Sequence, residues 1–199
     1  IIIASSDKAY GNYPLKSLPY KENYELKPNF PYDTSKACGD MIAKSYSSKL
    51  YKLPIIITRF ANIYGSGQLN FTALIPDVIR SCILNKKFVM RSDGKAIRDF
   101  IYIDDIVELY QLLAKNLYLY PKKYSGEVFN AGTNVKYKIK DIVIKIFTYT
   151  KKEKKLKSIF KKIKKNKTKG ELSAHYMDYK KLNKFFGWKP KYKFSKTLP

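Results

Sequence analysis

Pro31-Tyr32-Asp33-Thr34-Ser35-Lys36-Ala37-Cys38-Gly39-Asp40 is the stretch on which the reading of this chain turns. Tyr32 and Lys36 are four apart, and residues i and i+4 share one face of a helix. A Lys ammonium beside a phenol favours the phenolate, the form in which Tyr works as a general base. The pair alone is a weak signal, because Tyr and Lys are abundant here. Upstream, however, stands Ser5-Ser6-Asp7-Lys8-Ala9-Tyr10-Gly11, a Ser/Asp/Lys turn leaving the apolar strand Ile1-Ile2-Ile3-Ala4. The two stretches together are far more specific than either.

Working outward, apolar and helical periodicities alternate. A strand at 1–5 is followed by a long loop with Pro14, Pro19, Pro28 and Pro31. A helix is expected from about Tyr32 to Lys52, stopped by Leu53-Pro54. Pro54 to Phe60 reads as a buried strand. A loop with Gly65 and Gly67 leads to a helix over Thr72–Asn85, a short strand at Phe88–Met90 and a strand at Ile97–Tyr102. Asp104 is the expected cap of the next helix, with Ile106, Val107, Tyr110, Leu113 and Ala114 as its stripe. Val128–Asn130 reads as a strand. Ile139–Thr150 reads as a helix burying Ile142, Val143, Ile146 and Phe147. A last helix, Tyr179–Phe186, is stopped by Gly187, and another start follows at Ser195. No internal repeat is evident.

Composition bounds the partners. The chain has 199 residues, 45% of them hydrophobic, enough for a core of respectable size. No apolar run approaches the ~18 residues of a membrane span. Cys38 and Cys82 show no metal or disulfide spacing, which fits a reduced, cytoplasmic compartment. The net charge of +24 suggests nucleic acid at first sight. Yet only Arg59, Arg80, Arg91 and Arg98 are Arg, and nucleic-acid readers lean on Arg for bidentate contacts. A Lys-rich solvated surface is the better reading, and no nucleic-acid partner is expected. The densest run, Lys151–Lys169, carries Leu156, Ile159, Phe160 and Ile163 as an amphipathic helix or a short strand with a basic loop, at the surface.

Taken with Arg59–Gly65 (RFANIYG), Arg91–Tyr110 (RSDGKAIRDFIYIDDIVELY), VFNAGTN around Asn130 and KKLNKFFGWKPKY around Trp188, these motifs are identified as those of the extended short-chain dehydrogenase/reductase family of nucleotide-sugar enzymes. The Ser-Ser-Asp-Lys-Ala-Tyr-Gly turn resembles the CDP-glucose 4,6-dehydratase branch most. The resemblance implies an α/β fold: the C-terminal part of a Rossmann-like doubly wound parallel sheet plus a smaller mixed α/β substrate-binding lobe. Residues 1–65 would be the remaining dinucleotide side. Residues 66–199 would be mainly the sugar side, with segments returning to the sheet. The family's Gly-x-x-Gly-x-x-Gly turn, which cradles the dinucleotide pyrophosphate, has no match among the nine scattered glycines. The sequence therefore reads as a fragment opening on the fifth strand of the sheet.

The resemblance also implies roles. NAD would be the cofactor and a nucleotide sugar the substrate. Tyr32 would take the C4 hydroxyl proton. Lys36 would hold the nicotinamide ribose beside Tyr32. Ser6 would hydrogen-bond the same sugar hydroxyl. Asp7, with its carboxyl raised in a dry site, would protonate the departing C6 hydroxyl, and Lys8, as a neutral amine, would help remove the C5 proton. Asn62 and Arg98 would meet the sugar-nucleotide diphosphate, and Arg59 would be structural. The sole His, His175, lacks a visible partner and is expected at the surface beside Tyr176. Ser173 stands where the family usually has a phosphate-binding Arg, which loosens the reading of the base. No metal site is expected, and the Tyr32 helix would pack across a homodimer. The alternatives are a nucleotide-sugar 4-epimerase, which needs neither Asp7 nor Lys8, an inactive sugar-nucleotide-binding remnant, and a basic nucleic-acid module.

Overall fold

Ile55, Ile56, Ile57 and Phe60 are all buried, as a strand covered on both faces requires. In the computed structural model, which describes residues 1–161, 163 and 173–198, Ile56, Ile57 and Phe60 belong to the central strand of a parallel sheet and Ile55 leads into it. Strand β1 (Ile2–Ser6) pairs with β2 (Ile56–Phe60), and β2 pairs with β6 (Val128–Ala131), from Ile2 opposite Ile56 to Phe60 opposite Ala131. β1 is an edge strand here. Ile2 and Ile3 are half-buried and Ala4 is exposed, so this apolar strand has one covered side.

Two smaller sheets stand beside the first. β3 (Asn62–Tyr64) runs parallel to β5 (Phe100–Tyr102). β4 (Ile97–Arg98) lies between antiparallel β7 (Tyr137–Lys138) and parallel β8 (Ala174–His175). The expected strand over 97–102 is thus two strands that break at Asp99 and pair with different partners. Phe88–Met90 is not a strand. Phe88 and Met90 are buried and Val89 is exposed, so the alternation is present without a ladder to join.

The helices are α1 (Pro31–Tyr46), α2 (Leu74–Ile83), α3 (Ile103–Leu119), α4 (Pro121–Tyr124), α5 (Ile139–Tyr149), α6 (Leu156–Lys161), α7 (Lys180–Phe186) and α8 (Phe194–Thr197). α1 stops six residues short of Lys52, and turns carry the chain to Pro54. Tyr102, not Asp104, occupies the N-cap of α3, with no side-chain capping bond. Asp104 is exposed. The buried acid is Asp105, which accepts the backbone N–H groups of Lys191 (2.8 Å) and Tyr192 (3.3 Å). The buried stripe of α3 is Ile106, Leu109, Leu113 and Leu117, while Val107 and Ala114 face solvent. α5 buries Ile142, Val143, Ile146 and Phe147 as expected, and Gly187 ends α7 in the left-handed region (φ 65°).

Two hydrophobic cores result. The first joins β2, β6 and α3 to Tyr10, Tyr20, Leu182 and Trp188, with Phe129 packed edge-on against Phe185 and Phe186. Each buried aromatic there contributes about 1.5–3 kcal/mol. The second gathers α2, α5, α8, Phe88 and Met90, and Leu156, Ile159, Phe160 and Ile163 pack against it. Within the Lys-rich run, Glu153–Lys155 form a 3-10 turn and α6 follows as an amphipathic helix. Residues 162 and 164–169 of that run lie outside the described residues.

Candidate active site

Ser6 ends β1 and caps the 3-10 turn Asp7–Tyr10. Its Oγ accepts the Lys8 N–H (3.2 Å) and donates to Asp7 Oδ1 (3.1 Å). Gly11 closes the turn at φ 68°, where a Cβ would sit 1.7 Å from the Lys27 carbonyl oxygen. Below it, Arg59 on β2 holds the turn and α1 together. Arg59 Nε donates to Asp40 Oδ2 (2.6 Å), Nη1 donates to the Tyr10 hydroxyl (2.7 Å), and Tyr10 donates in turn to Asn130 Oδ1 (2.7 Å). Arg59 and Asp40 are both buried, so this ion pair fixes geometry more than it adds stability. The structural reading of Arg59 agrees with these contacts.

α1 lies against β1 and the turn, placing Tyr32 and Lys36 beside Ser6. Lys36 Nζ stands 5.9 Å from the centre of the Tyr32 ring and donates to the Ala4 carbonyl (3.2 Å). Tyr32 is 57% exposed, open to a ligand. Ser6, Asp7, Lys8, Tyr32 and Lys36 line one cleft of about 550 Å³ together with Asn62 and Arg98. The structure thus brings all seven sequence-selected residues to one place, at the carboxyl ends of β1 and β2, where open parallel sheets bind ligands. Asn62 Nδ2 donates to the Asp99 carbonyl (3.0 Å), and Arg98 Nη1 donates to the Ile97 carbonyl (2.8 Å).

Two expectations are corrected. His175 is not at the surface: on β8 it is fully buried, its Nδ1 3.4 Å from Asp7 Oδ2 and its ring edge-on to Tyr20. Nor is the Asp7 carboxyl raised. Burial pushes it up, but His175 first, then Lys8 and Ser6, outweigh that and hold it below its usual value. Burial lowers the His175 imidazole, helped by Lys8 and Arg98 and opposed by Asp7. Asp33 on α1 is raised by burial against the pull of Lys8 and His175.

Asp99, unselected in the sequence, organises the far wall. Its carboxylate accepts the N–H groups of Thr133 (2.9 Å) and Asn134 (3.0 Å) and the Thr133 hydroxyl, and burial pushes it up to about 6. Gly132 permits this approach, since a Cβ there would meet Asp99 Oδ2 at 2.5 Å. The one sequence signal for Asp99 is its place directly after Arg98, in Gly94-Lys95-Ala96-Ile97-Arg98-Asp99. Among the described residues no group of three or more His, Cys, Asp and Glu could hold a metal ion, and no helix is long and apolar enough to cross a membrane.

A parallel α/β sheet with a Ser/Asp/Lys turn and a Tyr-x-x-x-Lys helix at its carboxyl edge defines the class: nucleotide-sugar enzymes of the extended short-chain dehydrogenase/reductase type. The chain belongs to the GDP-mannose 4,6-dehydratase family, whose model matches residues 1–199. It is 34% identical over 154 residues to a dTDP-D-glucose 4,6-dehydratase of Dictyostelium discoideum, covering 73% of this chain and 34% of that protein. It is 30% identical over 194 residues to a putative UDP-glucose 4-epimerase of Methanocaldococcus jannaschii, covering 96% of this chain and 57% of that one. The crystal structure of a dTDP-glucose 4,6-dehydratase from Bacillus anthracis in complex with NAD superimposes with a TM-score of 0.80 at 32% identity, over 99% of this chain and 58% of that one. The chain thus spans between about a third and three-fifths of the length of these relatives.

Proposed function

We propose that this chain carries the catalytic and sugar-binding part of an NAD-dependent nucleotide-sugar 4,6-dehydratase acting on CDP-glucose. The observation that carries the reading is the convergence of Ser6, Asp7 and Lys8 with Tyr32 and Lys36 in one cleft. The dinucleotide side would lie within 1–65 and the sugar side mainly within 66–199. The two hydrophobic cores support that division, with β6, α3 and α7 returning to the first. The donor set suits a nicotinamide ribose: a phenol and an ammonium on one helix face, next to a serine at a strand end. NAD, when bound, takes two electrons from the sugar C4 and returns them at C6.

The residues divide the remaining work. Tyr32, as the phenolate that the Lys36 ammonium stabilises, accepts the proton of the C4 hydroxyl while Ser6 hydrogen-bonds that oxygen. Once C4 is a ketone, the C5–H is acidic. Lys8 takes that proton, the C5–C6 double bond forms, and Asp7 gives a proton to the leaving C6 hydroxyl, which departs as water. Lys8 then returns its proton to C5. Arg98 and Asn62 face the diphosphate, and a guanidinium kept in so Lys-rich a chain suits a bidentate anion contact. The choice of CDP rests on the Asp7-Lys8 pair. Met41 and Ile42, 66% and 58% exposed on α1, support a homodimer packed through that helix. A cytoplasmic location fits the two free cysteines.

A 4-epimerase is the second reading, favoured by the Methanocaldococcus relative. The full-length protein incubated with CDP-, dTDP- and UDP-glucose decides between them. The expected product is a 4-keto-6-deoxy sugar, fastest from the CDP sugar. Tyr32→Phe should stop C4 oxidation, whereas Asp7→Asn and Lys8→Met should each slow elimination by about a hundredfold and let reduced cofactor accumulate. A C4 epimer from the wild-type protein would hand the case to the second reading.

A further inference from the structure

His175 is the only histidine in the 199 residues and the one buried imidazole at the edge of the cleft. A histidine that merely fills a core has its ring nitrogens hydrogen-bonded. Here neither Nδ1 nor Nε2 has a hydrogen-bond partner among the described residues, and neither does Asp7 Oδ2, which faces Nδ1 at 3.4 Å. Both side chains are almost wholly buried. Asp7 lines the cleft and His175 does not, so the imidazole reaches the cleft only through the carboxyl. Around the pair stand Lys8 from the same turn, Asp33 from α1, Arg98 from β4 and the ring of Tyr20.

We propose that His175 is a positioning residue and proton store for Asp7: the two share one dissociable proton, which lies on Asp7 when substrate fills the cleft. This rests on the dehydratase reading. A buried ion pair is costly once water is excluded, and moving the proton from imidazolium to carboxylate makes both partners neutral. In the open cleft His175, Lys8 and Ser6 favour the Asp7 carboxylate, while burial and Arg98 disfavour a cationic ring; once substrate excludes water, the dry pair is Asp7 carboxylic acid beside neutral His175. In elimination the C6–O bond breaks, the Asp7 proton forms water with the departing oxygen, and the C5 proton goes to Lys8. Asp7 is left as carboxylate beside a neutral imidazole. The proton that Tyr32 took from the C4 hydroxyl is released to solvent, and one taken up by the pair restores it after product leaves. Total protons and electrons balance with no further reactant.

The test uses the full-length protein with His175→Phe, His175→Asn and Asp7→Asn, and pairs single-turnover kinetics with ¹⁵N NMR of the imidazole. His175→Phe should slow elimination about a hundredfold while formation of reduced cofactor stays within about twofold of wild type. His175→Asn, polar but unable to store a proton, should keep slow elimination and lose the wild-type pH dependence. In Asp7→Asn the imidazole should titrate at least about one unit lower; this arm needs no turnover and decides the matter if the His175 variants fail to fold. Elimination at the wild-type rate in both His175 variants, or an imidazole titration indifferent to Asp7→Asn, would overturn the proposal. A wild-type protein that makes no 4-keto-6-deoxy sugar refutes the dehydratase reading before any variant is made, and the relay with it.

Discussion

At the level of single residues, Asp99 is a buried carboxylate whose titration bears on stability. Burial raises its carboxyl from 3.8 to about 6 in spite of the Thr133 and Asn134 donors. A group whose folded value is raised binds its proton more tightly in the folded state. Its contribution to stability is therefore full below the unfolded value near 4 and is lost as the pH rises through about 6. Asp99→Asn should flatten the pH dependence of stability between about pH 4 and 7, measured by urea unfolding at a series of pH values. An unchanged slope would show that Asp99 is not the group responsible. Asp99 and His175 also mark where sequence reading stopped. Their partners are Thr133 and Asn134 for one and Asp7 for the other, and a separation of 168 positions between Asp7 and His175 leaves no local trace of that pairing. Ser6, Asp7, Lys8, Tyr32 and Lys36 were legible because each pair of roles lies within one turn of backbone.

Among the elements, the 3-10 turn after β1 is the piece on which the cleft depends. Gly11 ends it with a backbone conformation that L side chains rarely adopt, and the Lys27 carbonyl occupies the space a Cβ would need. Gly11→Ala should cost at least about 2–3 kcal/mol. Gly39→Ala, inside α1 with nothing within 4 Å of the added methyl, should gain up to about 1 kcal/mol. Thermal unfolding of the two variants separates them; equal effects would mean that the turn at Gly11 can relax. β2, α5 and α7 were readable from their pattern, since β2 follows the apolar run Ile55–Ile57 and is buried on both faces, α5 has a clean stripe and α7 ends at Gly187. The break at Asp99 was not, because Ile97–Arg98 and Phe100–Tyr102 form one continuous run in sequence and part only when β4 joins β7 and β8 while β5 joins β3. The α3 stripe slipped for a related reason: Val107 and Ala114 are apolar yet exposed, and hydrophobicity alone does not tell a residue which side is covered.

For the whole molecule, the +24 charge is carried by Lys, while two of the four Arg, Arg59 and Arg98, are buried. Most of the described lysines are exposed, so the excess charge lies at the surface. The architecture therefore points back to the cleft, and the central claim is that oxidation at C4, loss of water across C5–C6 and reduction at C6 occur in one site. The measurement that tests it most directly follows deuterium. The full-length protein is given CDP-glucose deuterated at C4, and the product is read by NMR and mass spectrometry. The account predicts a 4-keto-6-deoxy sugar with deuterium at C6 and no net consumption of NAD. Deuterium still at C4 of an epimerised, hydroxylated sugar would contradict it.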